Sequence, residues 1–314
     1  MIRLPSFAVC LLLSSFLSAA DHSELISPCR RILFLGDSIT HAGDYISLIE
    51  ASVRSEFPER VPVLINLGLP SETCSGLSEP DHPFPRPDVH ERLERALDKV
   101  RPDVVFACYG MNDGIYYPFS EQRFAAYRRG VDRLIKKVKA AGARLVLMTP
   151  PAFDPLPLKQ QGKLLPAGAD KYAWFSIYEG YDDVLKRYSK WIMQQQDRVD
   201  LTIDLHTPVN LYIAQRREQQ PDFTMSPDGV HLNEEGHRVL AKVILVALEK
   251  GKEALGKENV QLHPDRLKLV KARQKLLHAA WLSHVGHQRP GVKSGLPLEE
   301  AFKKAAALDR RIRQ

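Results

Sequence analysis

The chain has 314 residues, of which 44% are hydrophobic and 26% are charged. This length fits one large domain or one domain with an extension, and the composition is that of a globular protein rather than of a disordered or fibrous chain. The net charge of +6 is concentrated near the C-terminus, because residues 251–314 contain 14 of the 44 Lys/Arg but only 6 of the 38 Asp/Glu. The basic charge therefore says little about the rest of the chain.

The N-terminal segment, residues 1–20, predicts a secretory signal peptide. Arg3 precedes an apolar stretch at residues 7–17, and small residues follow at positions 18–20. The apolar stretch is too short to span a bilayer, and no later run is long and apolar enough to do so. We therefore expect an exported protein, periplasmic or secreted, without a transmembrane anchor.

Five short, continuous apolar runs predict strands that are buried on both faces of a sheet. These runs are residues 31–35, 61–66, 103–109, 144–149 and 199–205. Apolar residues at helical spacing between and after these runs predict four amphipathic helices. Their stripes extend over residues 89–100, 124–138, 177–192 and 239–248. Alternating strands and helices predict a parallel α/β fold with three α/β/α layers.

Two proline-rich connections, residues 69–88 and 150–166, directly follow predicted strands. Ligands of open α/β sheets bind beyond the carboxyl ends of the strands. We therefore expect both connections to form walls of a binding site.

Three polar motifs point to acyl-transfer chemistry. Ser38 follows the first predicted strand in the run Gly-Asp-Ser, a position that lifts a hydroxyl above the sheet edge, where a nucleophile is needed. His231 is the best candidate for the base, because Asp228 lies three residues earlier and one tight turn can hold both side chains together. The backbone N–H groups of Ser38 and Gly68 and the side-chain amide of Asn112 are candidate donors for an oxyanion hole.

These motifs, taken together, resemble the conserved blocks of the GDSL-type SGNH hydrolases. The runs GDSI at 36–39, NLG at 66–68, GMND at 110–113 and DGVH at 228–231 resemble the first, second, third and fifth blocks, in family order. The resemblance covers roughly residues 31–250. It implies a flavodoxin-like sandwich with a five-stranded parallel sheet, and ester hydrolysis without a metal or organic cofactor.

By this resemblance Ser38, Asp228 and His231 form the catalytic triad, and Ser38, Gly68 and Asn112 build the oxyanion hole. The sequence departs from the family after Gly68. Many members have another glycine a few residues on, whereas this chain continues Leu-Pro-Ser-Glu-Thr. The departure puts in doubt whether this chain makes the substrate contacts of other family members, more than it puts in doubt the ester-hydrolysing chemistry.

Each of these residues also has a structural alternative. Ser38 could cap the following helix, Asn112 could stabilise a turn, and His231 could bond only to backbone at the start of a helix. Supporting roles in holding the shape of the site fall to Asp37, Gly110 and Asp113. Candidate substrate contacts, with loop-structural roles as the alternative, are Glu72, Arg86 and Tyr116.

The remaining segments give weaker signals. Residues 251–314 predict a basic helical C-terminal extension, with helical stretches at 266–282 and 298–312, either packed on a hydrolase domain at 21–250 or projecting from it. No base-reading motif accompanies its charge, so we expect no nucleic-acid partner. No Cys/His spacing resembles a zinc site. After signal cleavage, only Cys29 with Cys74 is considered as a pair, and Cys108 is expected in the core.

The sequence therefore predicts an exported serine esterase that removes acyl groups, most plausibly acetyl, from carbohydrate. One alternative keeps the chemistry and acts on longer acyl chains, like a lipase or lysophospholipase. A second alternative is a non-catalytic polysaccharide-binding module whose basic extension attaches it to an anionic polymer.

Overall fold

The computed structural model describes residues 22–26, 30–59, 61–248 and 264–314. The predicted signal peptide, Cys29 and the predicted domain boundary at residue 250 lie outside these described residues. Within the described part of the chain, no helix is long and apolar enough to cross a membrane.

A five-stranded parallel sheet forms the centre of the fold, as the sequence predicted. The strands of the structure are β1 (Arg31–Gly36), β2 (Val63–Asn66), β3 (Val104–Cys108), β4 (Arg144–Met148), the short β5 (Leu164–Leu165) and β6 (Ile177–Tyr178), and β7 (Leu201–Ile203). The large sheet has the order β2-β1-β3-β4-β7, while β5 and β6 pair separately. The order reverses after β1, which places the ends of β1 and β3 at a topological switch point where open α/β sheets bind ligands.

Helices cover both faces of the sheet, which explains why every residue of β3 is buried. They are α1 (Ser38–Ala42), α2 (Asp44–Glu56), α3 (Val89–Val100), α4 (Glu121–Ala140), α5 (Leu156–Gln160), α6 (Tyr181–Met193), α7 (His206–Arg217), α8 (Glu234–Leu248), α9 (Pro264–Val285) and α10 (Leu298–Arg313). Side-chain caps begin several of them: for example, Asp88 accepts from His90 N before α3 and Ser120 accepts from Arg123 N before α4.

Two differences from the predicted elements have clear causes. Ile177 belongs to β6 rather than to the predicted helix, because Gly180 ends the short strand and α6 begins at Tyr181. The sequence analysis also missed α2 and α7. The helix α2 buries residues on several sides, including Tyr45, Ser47 and Glu50, so its apolar stripe is less distinct.

The C-terminal extension packs on the body rather than projecting from it. The helix α9 contacts β2, α2 and α3, so it covers the edge strand of the sheet. Gln274 donates to Leu64 O of that edge strand over 3.2 Å and also to the buried carboxylate of Glu50. Arg273 adds an ion pair to Glu50 at 3.0 Å. The extension therefore covers the sheet edge and bonds to one of its backbone carbonyls.

Candidate active site

Ser38, His231 and Asp228 form one hydrogen-bonded chain. Ser38 is the first residue of α1, immediately beyond the C-terminal end of β1. Its Oγ lies 2.8 Å from His231 Nε2, and His231 Nδ1 lies 2.6 Å from Asp228 Oδ2. Both distances fall within hydrogen-bond reach of a nucleophile, its base and the group that orients the base. The structure therefore brings together the three residues that the sequence singled out.

A tight turn before α8 holds the imidazole and its carboxylate. Asp228 Oδ1 accepts from the backbone N–H of Val230 and of His231, at 3.0 and 2.7 Å. Gly229 has φ +78°, and a Cβ there would lie 2.7 Å from the Phe153 ring. This position therefore requires glycine.

The loop after β4 supports this turn from below. Asp154 N donates to Gly229 O over 2.9 Å, and the buried Asp154 carboxylate is ion-paired with Arg217 at 2.7 Å. Thr224 also donates to this carboxylate, at 2.7 Å. The position of the turn thus depends on segments far from it in the sequence.

The charges of the pair suit general-base chemistry. Partial burial raises the pKa of Asp228, but hydrogen bonds from the His231 ring and from backbone N–H groups outweigh it and lower that pKa to about 2. In the other direction, the hydrogen bond to Asp228 raises the pKa of His231 above its ordinary 6.5, against partial desolvation. The carboxylate is therefore ionised at neutral pH and strengthens the imidazole as a base.

Asp37 holds the first turn of α1, where Ser38 sits. Its Oδ1 accepts from Ile39 N over 3.0 Å, as an N-cap does. Burial raises its pKa to about 7, although the bond from Ile39 and the nearby His231 oppose this. The supporting role predicted for Asp37 therefore agrees with its position.

The Asn112 side chain is fixed in one orientation. Its Oδ1 accepts from Arg86 Nη1 at 3.0 Å and from the Tyr116 hydroxyl at 2.9 Å. Its Nδ2 donates one hydrogen to Glu72 O at 3.1 Å. Two buried donors on the oxygen thus define which end of the amide carries hydrogen. The second hydrogen of this NH₂ group is the candidate oxyanion donor.

The backbone N–H of Gly68 is not free to donate to an oxyanion, as the sequence analysis had predicted it would be. Its N–H donates to Asn66 Oδ1 over 2.7 Å, and Gly68 does not line the cavity that contains Ser38. The glycine has a packing reason, because a Cβ there would lie 2.3 Å from the backbone nitrogen of His41. In this structure the N–H that the sequence analysis proposed as an oxyanion donor is therefore already bonded.

Ser71, three residues after Gly68, is another candidate backbone donor on this loop. It lines the cavity together with Ser38, Asn112 and His231. Its φ is +64°, a conformation usually taken by glycine. Within the described residues, no acceptor is bonded to its backbone N–H. The departure from the family pattern after Gly68 was the only signal in the sequence that pointed to this residue.

The cavity above Ser38 has a volume of about 230 Å³. The loop between β2 and α3 supplies much of its wall, as predicted for the proline-rich residues 69–88. The same expectation for residues 150–166 was wrong, since none of them lines this cavity. The sequence analysis missed several residues of this wall, which lie on loops without a motif. Besides the residues discussed above, the wall contains Pro70, His82, Pro83, Phe84, Trp174 and Arg289.

The three candidate substrate contacts have different positions. Arg86 and Tyr116 line the cavity, but both are buried and bonded to Asn112, so they also set its orientation. Glu72 does not line the cavity and is fully buried. Its carboxylate pairs with Arg92 at 2.6 Å and accepts from the Tyr109 hydroxyl at 2.6 Å. The prediction of a substrate contact at Glu72 was therefore wrong, because a buried cation neutralises it.

Gly110 and Asp113 shape the turn around Asn112. Gly110 has φ +138°, and a Cβ would lie 2.7 Å from the Pro150 ring. Asp113 Oδ1 accepts from Cys74 N and Ser75 N at 2.8 and 2.7 Å, which ties this turn to the cavity wall. Burial raises the pKa of Asp113 to about 6, against the hydrogen bonds from Ser75 and Cys74.

The described cysteines carry no chemistry at this site. Cys74 and Cys108 are free and buried, and burial raises the pKa of both thiols well above the ordinary value. Cys29, the partner considered for Cys74, lies outside the described residues.

Comparison with known proteins identifies a family. The model of the GDSL-like Lipase/Acylhydrolase family matches residues 34–239, which include Ser38, Asn112 and His231. No curated protein matches the chain at a significant level.

Solved structures with the same fold include three enzymes at low sequence identity. A catalytic mutant of Axe2, an acetylxylan esterase from Geobacillus stearothermophilus, is 19% identical with a TM-score of 0.52, over 71% of this chain and 96% of that one. The acetyl xylan esterase AlAXEase is 22% identical with a TM-score of 0.51, over 69% and 98%. BT4096, a gut microbial diltiazem-metabolizing enzyme, is 21% identical with a TM-score of 0.55, over 71% of this chain but 47% of that longer one. At these identities the similarity shows the fold alone.

Proposed function

The chain belongs to the GDSL-like lipase/acylhydrolase family and is a carboxylic ester hydrolase, and we propose that it removes acetyl groups from carbohydrate with Ser38 as nucleophile. The observation that carries the proposal is the continuous Ser38–His231–Asp228 hydrogen-bonded chain, which opens on a cavity of about 230 Å³. Because the cavity beside Ser38 is small, it favours an ester with a small acyl group.

The geometry supports an acyl-enzyme mechanism. His231 Nε2 takes the proton of Ser38 Oγ as this oxygen attacks the ester carbonyl. The negative charge that develops on the carbonyl oxygen is stabilised by N–H donors of Ser38, Ser71 and Asn112. The first of these is free because the initial N–H groups of a helix lack partners within the helix. His231 then donates its proton to the leaving alcohol, and a water molecule activated by the same imidazole releases acetate.

The cavity mouth supports a carbohydrate leaving group. Trp174 lines the cavity with 52% of its surface exposed, and neighbouring Phe175 is exposed to the same degree. Exposed aromatic rings beside a polar site offer flat, amphipathic faces, against which the apolar face of a sugar ring can stack. Export of the protein is also proposed, on the pattern of residues 1–20 alone.

Two experiments test this function. A fluorophosphonate should label the native enzyme but neither the heat-denatured enzyme nor folded Ser38→Ala; absence of labelling in native protein would instead favour the non-catalytic polysaccharide-binding module. A series of p-nitrophenyl esters should show the highest kcat/KM for acetate. Activity that rises beyond butyrate would favour the lipase-like alternative. An acetate-release screen over acetylated xylan, pectin, peptidoglycan and sialic acid then identifies the carbohydrate.

A further inference from the structure

Arg289 brings the C-terminal extension into the cavity above Ser38. It lies on the connection between α9 and α10, and it lines the same cavity as the nucleophile. Arg289 Nε donates to Pro70 O over 2.9 Å, and the guanidinium lies 5.1 Å from the centre of the Phe84 ring. A hydrogen bond and a ring contact thus hold this side chain against the wall.

The path of the extension explains this position. His278 Nε2 on α9 is 3.0 Å from Gly68 O, and the His278 ring lies 4.6 Å from the His41 ring. The end of α9 is held by α3, since Arg95 donates to Val285 O over 3.2 Å and Lys99 donates to His284 O over 2.6 Å. From there it reaches Pro70, the residue before Ser71, so the extension is anchored to the loop that carries a proposed oxyanion donor.

Arg289 differs from the other arginine of the cavity wall in its charge environment. Arg86 is neutralised by Glu79, with hydrogen bonds of 2.5 and 2.6 Å from its Nε and Nη2. No carboxylate lies within ion-pair distance of Arg289 in the described part of the chain, and its Nη2 donates to none of the described residues. Partial burial and the like charge of Arg86 lower the pKa of Arg289.

We propose that Arg289 binds a carboxylate on the substrate, so that the enzyme acts on acetyl esters of acidic carbohydrates such as uronic acids. The inference rests on the proposed function and specifies its substrate. A guanidinium with an unused N–H face is the group best suited to bind a carboxylate. The sugar ring then lies between this cation and the serine, with Trp174 at the mouth. By this account the basic extension is part of the substrate site rather than a separate adhesive tail.

A matched pair of substrates tests the proposal. Methyl glucuronoside and methyl glucoside, each acetylated at the same hydroxyl, differ only in the carboxylate. We expect the native enzyme to favour the acidic ester by about tenfold in kcat/KM, the effect of one charge-assisted hydrogen bond at a partly exposed site. Arg289→Ala should abolish this preference through a higher KM, and Arg289→Lys should retain part of it. The preference of the native enzyme should also weaken in high salt.

Controls separate binding from a structural role. Arg310→Ala removes the same charge from an exposed position on α10 and should leave all rates unchanged. Equal kcat/KM of the native enzyme for both sugar esters would refute the inference while leaving the esterase function intact. An equal loss on both esters and on neutral p-nitrophenyl acetate in Arg289→Ala would also refute it, since it would show that Arg289 only supports the Pro70 loop. No hydrolysis of any ester by the native enzyme would refute the proposed function and the inference together.

Discussion

Replacing Asn112 by aspartate tests the oxyanion hole while keeping the two hydrogen bonds that its Oδ1 accepts. Asn112 is buried, and its Oδ1 accepts from Arg86 and Tyr116. Asn112→Asp keeps an oxygen at this position, so both donors retain their acceptor. The NH₂ group becomes an oxygen, which can donate nothing to a developing oxyanion and also faces the carbonyl oxygen of Glu72.

The expected loss follows from this exchange. Removing one oxyanion donor costs about 2.7–4 kcal/mol of transition-state stabilisation, or about 10²–10³ in kcat. Asn112→Asp should reach at least the upper end, because the new carboxylate also repels the negative charge that forms on the substrate. Asn112→Ala loses the same donor and additionally leaves the Tyr116 hydroxyl without its acceptor, at about 1–3 kcal/mol of folding stability for an unsatisfied buried group, while Arg86 keeps its bonds to Glu79.

The assay compares both variants on p-nitrophenyl acetate and in thermal unfolding. We expect a similar KM and a loss of about a thousandfold in kcat for Asn112→Asp, with cooperative thermal unfolding showing that both variants are folded. A folded Asn112→Asp with kcat within tenfold of the native enzyme would refute the role of this amide. The proposed oxyanion donors would then be only the backbone N–H groups of Ser38 and Ser71.

Three further predictions concern the site and its surroundings. In the pH profile of kcat/KM, the rise on the acidic side should have its midpoint above pH 6.5, because neutral His231 is the base and its pKa is raised. Asp228→Asn should move this midpoint to lower pH and reduce the maximal rate. An unchanged midpoint would contradict the pairing of His231 with Asp228. Ser71→Gly should preserve activity and fold, because glycine adopts φ +64° without strain. Ser71→Val should lower both kcat and Tm, because a β-branched residue is strained in this conformation. Equal kcat and Tm of the two variants would exclude a role for the backbone conformation at this position. Burial raises the pKa of Asp113 from 3.8 to about 6, so the unfolded chain ionises first as pH rises between these values and the free energy of unfolding falls by about 3 kcal/mol. Denaturant unfolding from pH 4 to pH 8 should show a shallower decline for Asp113→Asn, and an identical decline would refute the assignment.

The parts of the site that could be predicted share one property: their chemistry is local in sequence. Asp228 and His231 are held by a single turn, and Ser38 directly follows a buried strand. The strands were predictable because a sheet buried on both faces requires continuous apolar runs. The errors arose where a hydrogen bond decided the outcome. Gly68 and Ser71 are both plausible donors by position, and only the bond from Gly68 N to Asn66 separates them.

The sequence by itself determined the class of fold, and it singled out Ser38, His231 and Asp228 as candidates for nucleophile, base and carboxylate, because apolar periodicity and short motifs are local features of the chain. Only the tertiary structure decided how the Asn112 amide is oriented, that Arg92 neutralises Glu72, and that Arg289 of the C-terminal extension lies beside Ser38. These features depend on contacts between segments far apart in the chain. No periodicity or local spacing records such contacts, because their energies arise only when burial removes water from both partners.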